Sequence, residues 1–217
     1  MSIYLQNELR KLKKKIFSQC TVVEESLRFA IKALLNKDGD TADKVIEKDD
    51  QIDRFEIEIE EDCLKMLALY QPVATDLRLI VSILKINSDL ERVGDLAQNI
   101  AQRAKALVNL EGEIPDFDFN GMCNLSLKML NDSIDSLVDL DMQKAQAVID
   151  TDNEIDDMNS RMYDIFVEQV SKDPHKMKLY LNYLSVSRYL ERIADHATNI
   201  SEDVIYMIEG TIVRHAE

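Results

Sequence analysis

Apolar residues recur along much of this chain in steps of three and four. One series is Ile83, Ile86, Leu90, Val93, Ala97, Ile100, Ala104 and Leu107. Another, position for position, is Tyr183, Val186, Leu190, Ile193, Ala197, Ile200, Val204 and Met207. Such steps draw one apolar stripe down one helix face, as in a packed bundle. The pattern is interrupted at Pro72, Pro115 and Pro174, at "NKDGD" (Asn36–Asp40) and at "VDLDM" (Val138–Met142). These breaks predict six long helices, over residues 3–36, 41–70, 74–109, 117–138, 142–171 and 175–209. "EGEIPDFDFNG" (Glu111–Gly121) has no helical period and holds a proline, so it is the linker candidate.

The two stripes belong to a longer repeat. "ERVGDLAQNI" (Glu91–Ile100) returns as "ERIADHATNI" (Glu191–Ile200), and "VIEKDDQID" (Val45–Asp53) returns as "VIDTDNEID" (Val148–Asp156). Upstream, Leu27, Ile31, Leu34 and Ala42 match Leu130, Ile134, Leu137 and Ala145. The first two helices recur 103 positions on and the third 100 positions on. The second half is therefore expected to be three residues shorter near Pro174, in a loop, where such a change is tolerated. The fold class expected is all-α: two tandem, pseudo-twofold-related three-helix bundles, with domains at 1–112 and 113–217.

Composition agrees and narrows the function. Only five glycines and three prolines in 217 residues leave room for long unbroken helices. A net charge of −15 argues against a nucleic-acid partner, which requires a basic surface, and suits a solvated surface or cation binding. Cys20, Cys63 and Cys123 lie far apart without a C-x-x-C pair, and read as free buried thiols of a cytoplasmic protein. No signal peptide is expected, since the N-terminus has no continuous apolar stretch. The longest apolar run, "LRLIVSILKI", carries Arg78 and Lys85 and is too interrupted to span a bilayer.

The candidate chemistry lies in the polar letters of the repeat. Asp49 and Asp53, Glu91 and Asp95, Asp152 and Asp156, and Glu191 and Asp195 are each four apart, so each pair shares a helix face. Adjacent carboxylates repel unless solvated or neutralised by a cation. Oxygen donors suit magnesium, calcium, manganese and iron, with zinc a further candidate. With 41 acidic residues, isolated pairs arise by chance, and a charged run is commonly a solvated face. Recurrence at equivalent places favours the metal reading. Asp53 and Glu91 both lie roughly 28 Å from the proline turn, at 1.5 Å per helical residue, so their carboxylates can meet across a groove. Glu91, Asp95 and Asn99 sit roughly 140–180° from the apolar stripe, outward or in a shallow groove. Arg92 and Arg192 are expected to pair with neighbouring acids. His196, opposite Leu96 in the other half, is either a ligand or a surface histidine. The basic run "RKLKKK" (Arg10–Lys15) is a solvated face or a contact for an acidic partner or anionic lipid. Carboxylates on helices also admit a second class of function, a carboxylate-bridged metalloenzyme acting as hydrolase or oxidase. Against it, Glu-x-x-His is absent: Gly94 and Ala194 follow Glu91 and Glu191 by three.

Together, "VIEKDDQID", "DLERVGDLAQNIAQ", "VIDTDNEID" and "YLERIADHATNISE" resemble the paired signatures of the PhoU family of phosphate-uptake regulators. The resemblance covers nearly the whole chain, in order, in both halves. It implies a non-enzymatic cytoplasmic regulator, often a homodimer, that reaches the membrane peripherally through protein partners. Those partners would be the cytoplasmic subunit of the phosphate ABC transporter and its sensor histidine kinase, with uptake and starvation signalling restrained when phosphate is plentiful. It further implies multinuclear iron or zinc, or other divalent ions such as manganese, magnesium or calcium, at Asp49, Asp53, Glu91, Asp95, Asp152, Asp156, Glu191 and Asp195. Two positions depart from the motif: Ala194 where Gly94 follows it, and Gln102 where the other half has Glu202. They imply that the two sites differ, the first being the weaker.

Overall fold

A computed structural model describes residues 3–112 and 116–211. Six helices account for nearly all of them: α1 (Ile3–Asn36), α2 (Gly39–Tyr70), α3 (Ala74–Val108), α4 (Phe119–Asp139), α5 (Met142–Lys172) and α6 (Met177–Glu209). Each expected helix is present, with ends shifted by two residues at most. The break expected at Pro115 lies outside the described residues.

The two turns between the first and second helix of each half share one design. Lys37 and Leu140 adopt the left-handed conformation, with φ of 50° and 53°. Each is followed by an aspartate that caps the next helix. Asp38 accepts from the Thr41 backbone N–H at 3.0 Å, and Asp141 accepts from those of Gln143 and Lys144. A side-chain acceptor there satisfies N–H groups that have no partner inside the helix. The turns into the third helix differ. Residues 71–73 have no counterpart in the second half, where a 3-10 turn, Pro174–Lys176, runs directly into α6. The three missing residues are thus the coil of the first-half turn.

Helices α3 and α6 stand at the centre. They pack along each other as well as on the other helices of their own bundles, and α1 also touches α4. The apolar stripes foreseen for them are buried throughout. Small residues (Ala97, Ala101 and Ala104 on α3; Ala194, Ala197 and Ser201 on α6) are buried in or beside those stripes and permit close helix approach. The outer helices bury much less. On α2 the main line is Val45, Ile52, Ile59 and Met66, and on α5 it is Val148, Ile155 and Met162. That spacing of seven keeps one narrow seam on the core and leaves most of each outer helix polar. Part of the linker is anchored: Phe119 packs on Phe117 and on Tyr183, with ring centroids 4.7 and 5.0 Å apart. All three cysteines are free and buried, and burial pushes each thiol up to about 12. No helix among the described residues is long and apolar enough to cross a membrane.

Candidate metal-binding sites

The narrow seam on α2 and α5 decides where the acidic pairs go. Asp49 and Asp53 flank Ile52, and Asp152 and Asp156 flank Ile155. A buried isoleucine therefore holds each outer pair at the edge of the groove facing the third helix of its bundle. Glu91 and Asp95, with Glu191 and Asp195, come from that third helix. The glutamates sit in the groove rather than outside it; only 13% of the Glu91 side chain is exposed.

In the second half, Asp156, Glu191 and Asp195 each offer one oxygen, and the three lie within 4.8 Å of one another. Cation–oxygen bonds run about 2.0–2.6 Å, so oxygens at this separation fit around a single ion. Burial, then Asp195 and Asp156, raises the Glu191 carboxyl above its usual range. Burial, then Asp152 and Asp156, does the same to Asp195. Asp152 stands at the edge of the cluster, accepts from the Thr198 hydroxyl at 3.1 Å, and is raised chiefly by burial. Arg192, expected to pair with an acid, makes no salt bridge among the described residues, although it still pulls Glu191 and Asp195 down, with Arg188 adding to the pull on Glu191.

In the first half the same letters are arranged otherwise. Arg92 places Nη1 3.1 Å from Asp95 Oδ2 and Nε 3.4 Å from Glu91 Oε2, the ion pairing expected of it. Asp49 accepts from the Gln98 side-chain amide, whose own oxygen accepts from Gln102 at 3.2 Å. Among the described residues, the only convergence of three His, Cys, Asp or Glu donors within that distance is the one in the second half. The first-half acids remain within one another's fields. Burial, then Asp95, pushes Glu91 up to about 7 against the opposing pull of Arg92. Burial, then Asp53 and Asp95, pushes Asp49 up to about 6. Glu91 Oε2 is buried and, among the described residues, makes no hydrogen bond, the Arg92 Nε at 3.4 Å approaching it without forming one. A buried oxygen held only by so long a contact gains from a better-placed donor or cation. Both donor sets are all-oxygen and anionic, and so fit a hard or borderline cation; the convergent set fits better.

Gly94 separates the halves structurally. A Cβ there would meet Ile52 Cδ1 at 2.8 Å, so glycine allows α2 to lie close on α3. Ala194 carries a Cβ at the equivalent place. His196 is not among the converging donors and is part-buried rather than free on the surface. Its Nδ1 is 2.8 Å from Asp89 Oδ1 on α3, and Asn199 also reaches Asp89, at 3.4 Å. That contact links the two bundles. Gln98, Thr198 and Asp89 were not singled out from sequence. Gln98 and Thr198 do share a repeat position, three residues after Asp95 and Asp195, and that polar match was the available signal.

The PhoU domain model matches this chain twice, over residues 16–104 and 119–204. The chain belongs to the PhoU family. The PhoU homologue of Aquifex aeolicus, described as a phosphate-specific transport system accessory protein, is 40% identical over 97% of this chain and 96% of its own length. That of Pseudomonas aeruginosa, described in the same words, is 38% identical over 96% and 86%. The crystal structure of PhoU from Pseudomonas aeruginosa superposes with a TM-score of 0.91 at 36% identity, covering 95% of this chain and 99% of that one. The phosphate transport system regulatory protein PhoU from Streptococcus pneumoniae gives 0.85 at 30% identity, covering 96% and 99%. PhoU proteins are regulatory and accessory proteins, not enzymes, so the metalloenzyme reading loses its support.

Proposed function

We propose that this protein is a negative regulator of phosphate uptake and of phosphate-starvation signalling. In this reading it acts in the cytoplasm, as a homodimer, on the phosphate ABC transporter's cytoplasmic subunit and on the associated sensor histidine kinase. One observation carries the reading: likeness along nearly the whole chain to accessory proteins of the phosphate-specific transport system. The absence of a spanning helix among the described residues supports peripheral attachment to the membrane through those partners.

The acidic clusters take part as metal sites, iron or zinc first, with manganese, magnesium or calcium as alternatives. A bound cation supplies positive charge between helices that would otherwise repel. Asp156, Glu191 and Asp195 would hold it in the second half, with Asp152 oriented by Thr198. Asp49, Asp53, Glu91 and Asp95 would hold it in the first, after Arg92 turns away. Pinning α5 to α6, and α2 to α3, would fix the outer faces on which a partner docks.

The test is genetic. In a host lacking its own regulator of this kind, a starvation-induced phosphatase should be made even in phosphate-rich medium. Supplying this protein should silence it, and purification from those cells should recover the transporter subunit. Unchanged phosphatase output on supplying a stably expressed protein would reject the reading.

A further inference from the structure

A cleft of about 550 Å³ opens between α1 and α2 next to their connecting turn, and none of the eight clustered acids lines it. Ser26, Phe29 and Lys32 recur every three residues on α1, and Lys44, Val45 and Lys48 recur at steps of one and three on α2. These spacings put each set on one helix face, and the two faces line the cleft. The lining is cationic in a chain of net charge −15: three lysines against Glu47. Lys32 and Lys44 make no salt bridge among the described residues, while Lys48 reaches Glu25 at 3.3 Å and stands 5.7 Å over the Phe29 ring. Ser26 is 2% exposed and its hydroxyl has no hydrogen-bond partner. The Phe29 ring, 37% exposed, remains partly open to the cleft. The cleft thus offers a hydroxyl and two ammonium groups as donors to an anion.

The repeat supplies a control. The positions equivalent to Ser26, Phe29, Lys32 and Lys44 are Met129, Asp132, Asp135 and Ala147. There Lys128 pairs with Asp132 and Lys144 with Asp135, so the charge is already satisfied. Lysines, hydroxyl and aromatic ring thus occur together in one half only, and pseudo-symmetry does not account for them.

We infer that this cleft binds a phosphate monoester carrying an aromatic body, of the nucleoside monophosphate class. The phosphoryl group lies among Lys32, Lys44 and Lys48 and accepts from Ser26. The base lies against Phe29 and Val45. The volume falls within the usual range for small-molecule sites, and Phe29 and Val45 give the mostly polar lining one apolar patch. Lysine is a point-charge partner for phosphate. This site stands independently of the regulatory reading and of the metal clusters.

The test is calorimetric titration of metal-free protein, kept in chelator, with adenosine 5′-monophosphate and separately with inorganic phosphate. Adenosine monophosphate should bind one per chain, about tenfold more tightly than inorganic phosphate, since an aromatic ring stacked on a base contributes on that order. Phe29→Ala should remove the difference between the two probes, and Lys32→Glu with Lys44→Glu should abolish both. Lys144→Glu, in the other half, should change neither. Phe29, Lys32 and Lys44 are exposed and Lys144 is half-buried, and circular dichroism of each variant checks that it is folded. The inference is overturned if neither probe saturates, if both bind equally well to the unaltered protein, or if the lysine variant binds as well as the unaltered one.

Discussion

The two halves place the same four acids on equivalent helices and then treat them differently. In the second half, Asp156, Glu191 and Asp195 converge while Arg192 makes no salt bridge among the described residues. In the first, Arg92 engages both Glu91 and Asp95, and two glutamines form a chain to Asp49. Both halves keep the acids; the neighbours set their behaviour. A carboxylate already facing a guanidinium has part of its charge balanced, and a cation must compete for it. In the second half Arg188 and Arg192 pull on Glu191 only through space, without a salt bridge among the described residues, so a cation meets less competition there. The two sites should therefore fill at different cation concentrations.

The largest effect that would break the parallel concerns packing. Gly94→Val forces a branched side chain against Ile52 and should destabilise the protein by about 1–3 kcal/mol. Ala194→Gly, at the equivalent place, should cost only about 0.5–1 kcal/mol through helix propensity. Urea unfolding of both variants measures this. Equal losses would mean that the two bundles are packed alike at this point.

A smaller effect comes from pH. Glu91 titrates near 7 in the folded chain against an ordinary 4.5, and Asp49 near 6 against 3.8. A carboxyl raised on folding disfavours the folded state once ionised. Its penalty is absent below the unfolded value and complete above the folded one. Metal-free protein should therefore gain thermal stability as pH falls from about 8 to about 6, and a saturating cation should flatten that slope. Glu91→Gln should remove more of the slope than Glu191→Gln. A metal-free protein whose melting temperature falls over that interval would rule out the raised carboxyls as its main cause.

The smallest effect separates the arginines. Arg92→Ala loses an exposed ion pair and should change stability by less than about 1 kcal/mol. It should nonetheless tighten cation binding in the first half, because Glu91 and Asp95 are released. Arg192→Ala should do much less. Titration of the metal-free variants with manganese, followed calorimetrically, tests this directly.

Much of this was legible in the letters. The stripes through Leu90 and Leu190 located the central helices, and the breaks at "NKDGD" and "VDLDM" located two turns built on the same aspartate cap. The acidic pairs were visible because they recur. The difference between them was only hinted at by Ala194 and Gln102. Whether Arg92 reaches Asp95 while Arg192 makes no salt bridge depends on side-chain rotamers, and the surrounding letters are nearly the same. His196 was misjudged for a related reason. Its partner, Asp89, lies on the other bundle, and a pattern read along one helix carries no information about what packs across from it.

The most direct test of the difference is the metal content of three proteins loaded with iron or with zinc and passed through a desalting column: unaltered, Asp95→Asn and Asp195→Asn. Asparagine keeps the shape and removes one charge. Asp195→Asn should lose the tightly held metal, whereas Asp95→Asn should retain it and lose only what binds at higher concentration. Equal losses from both, or retention of the tight metal by Asp195→Asn, would show that the convergent cluster of the second half is not the stronger site.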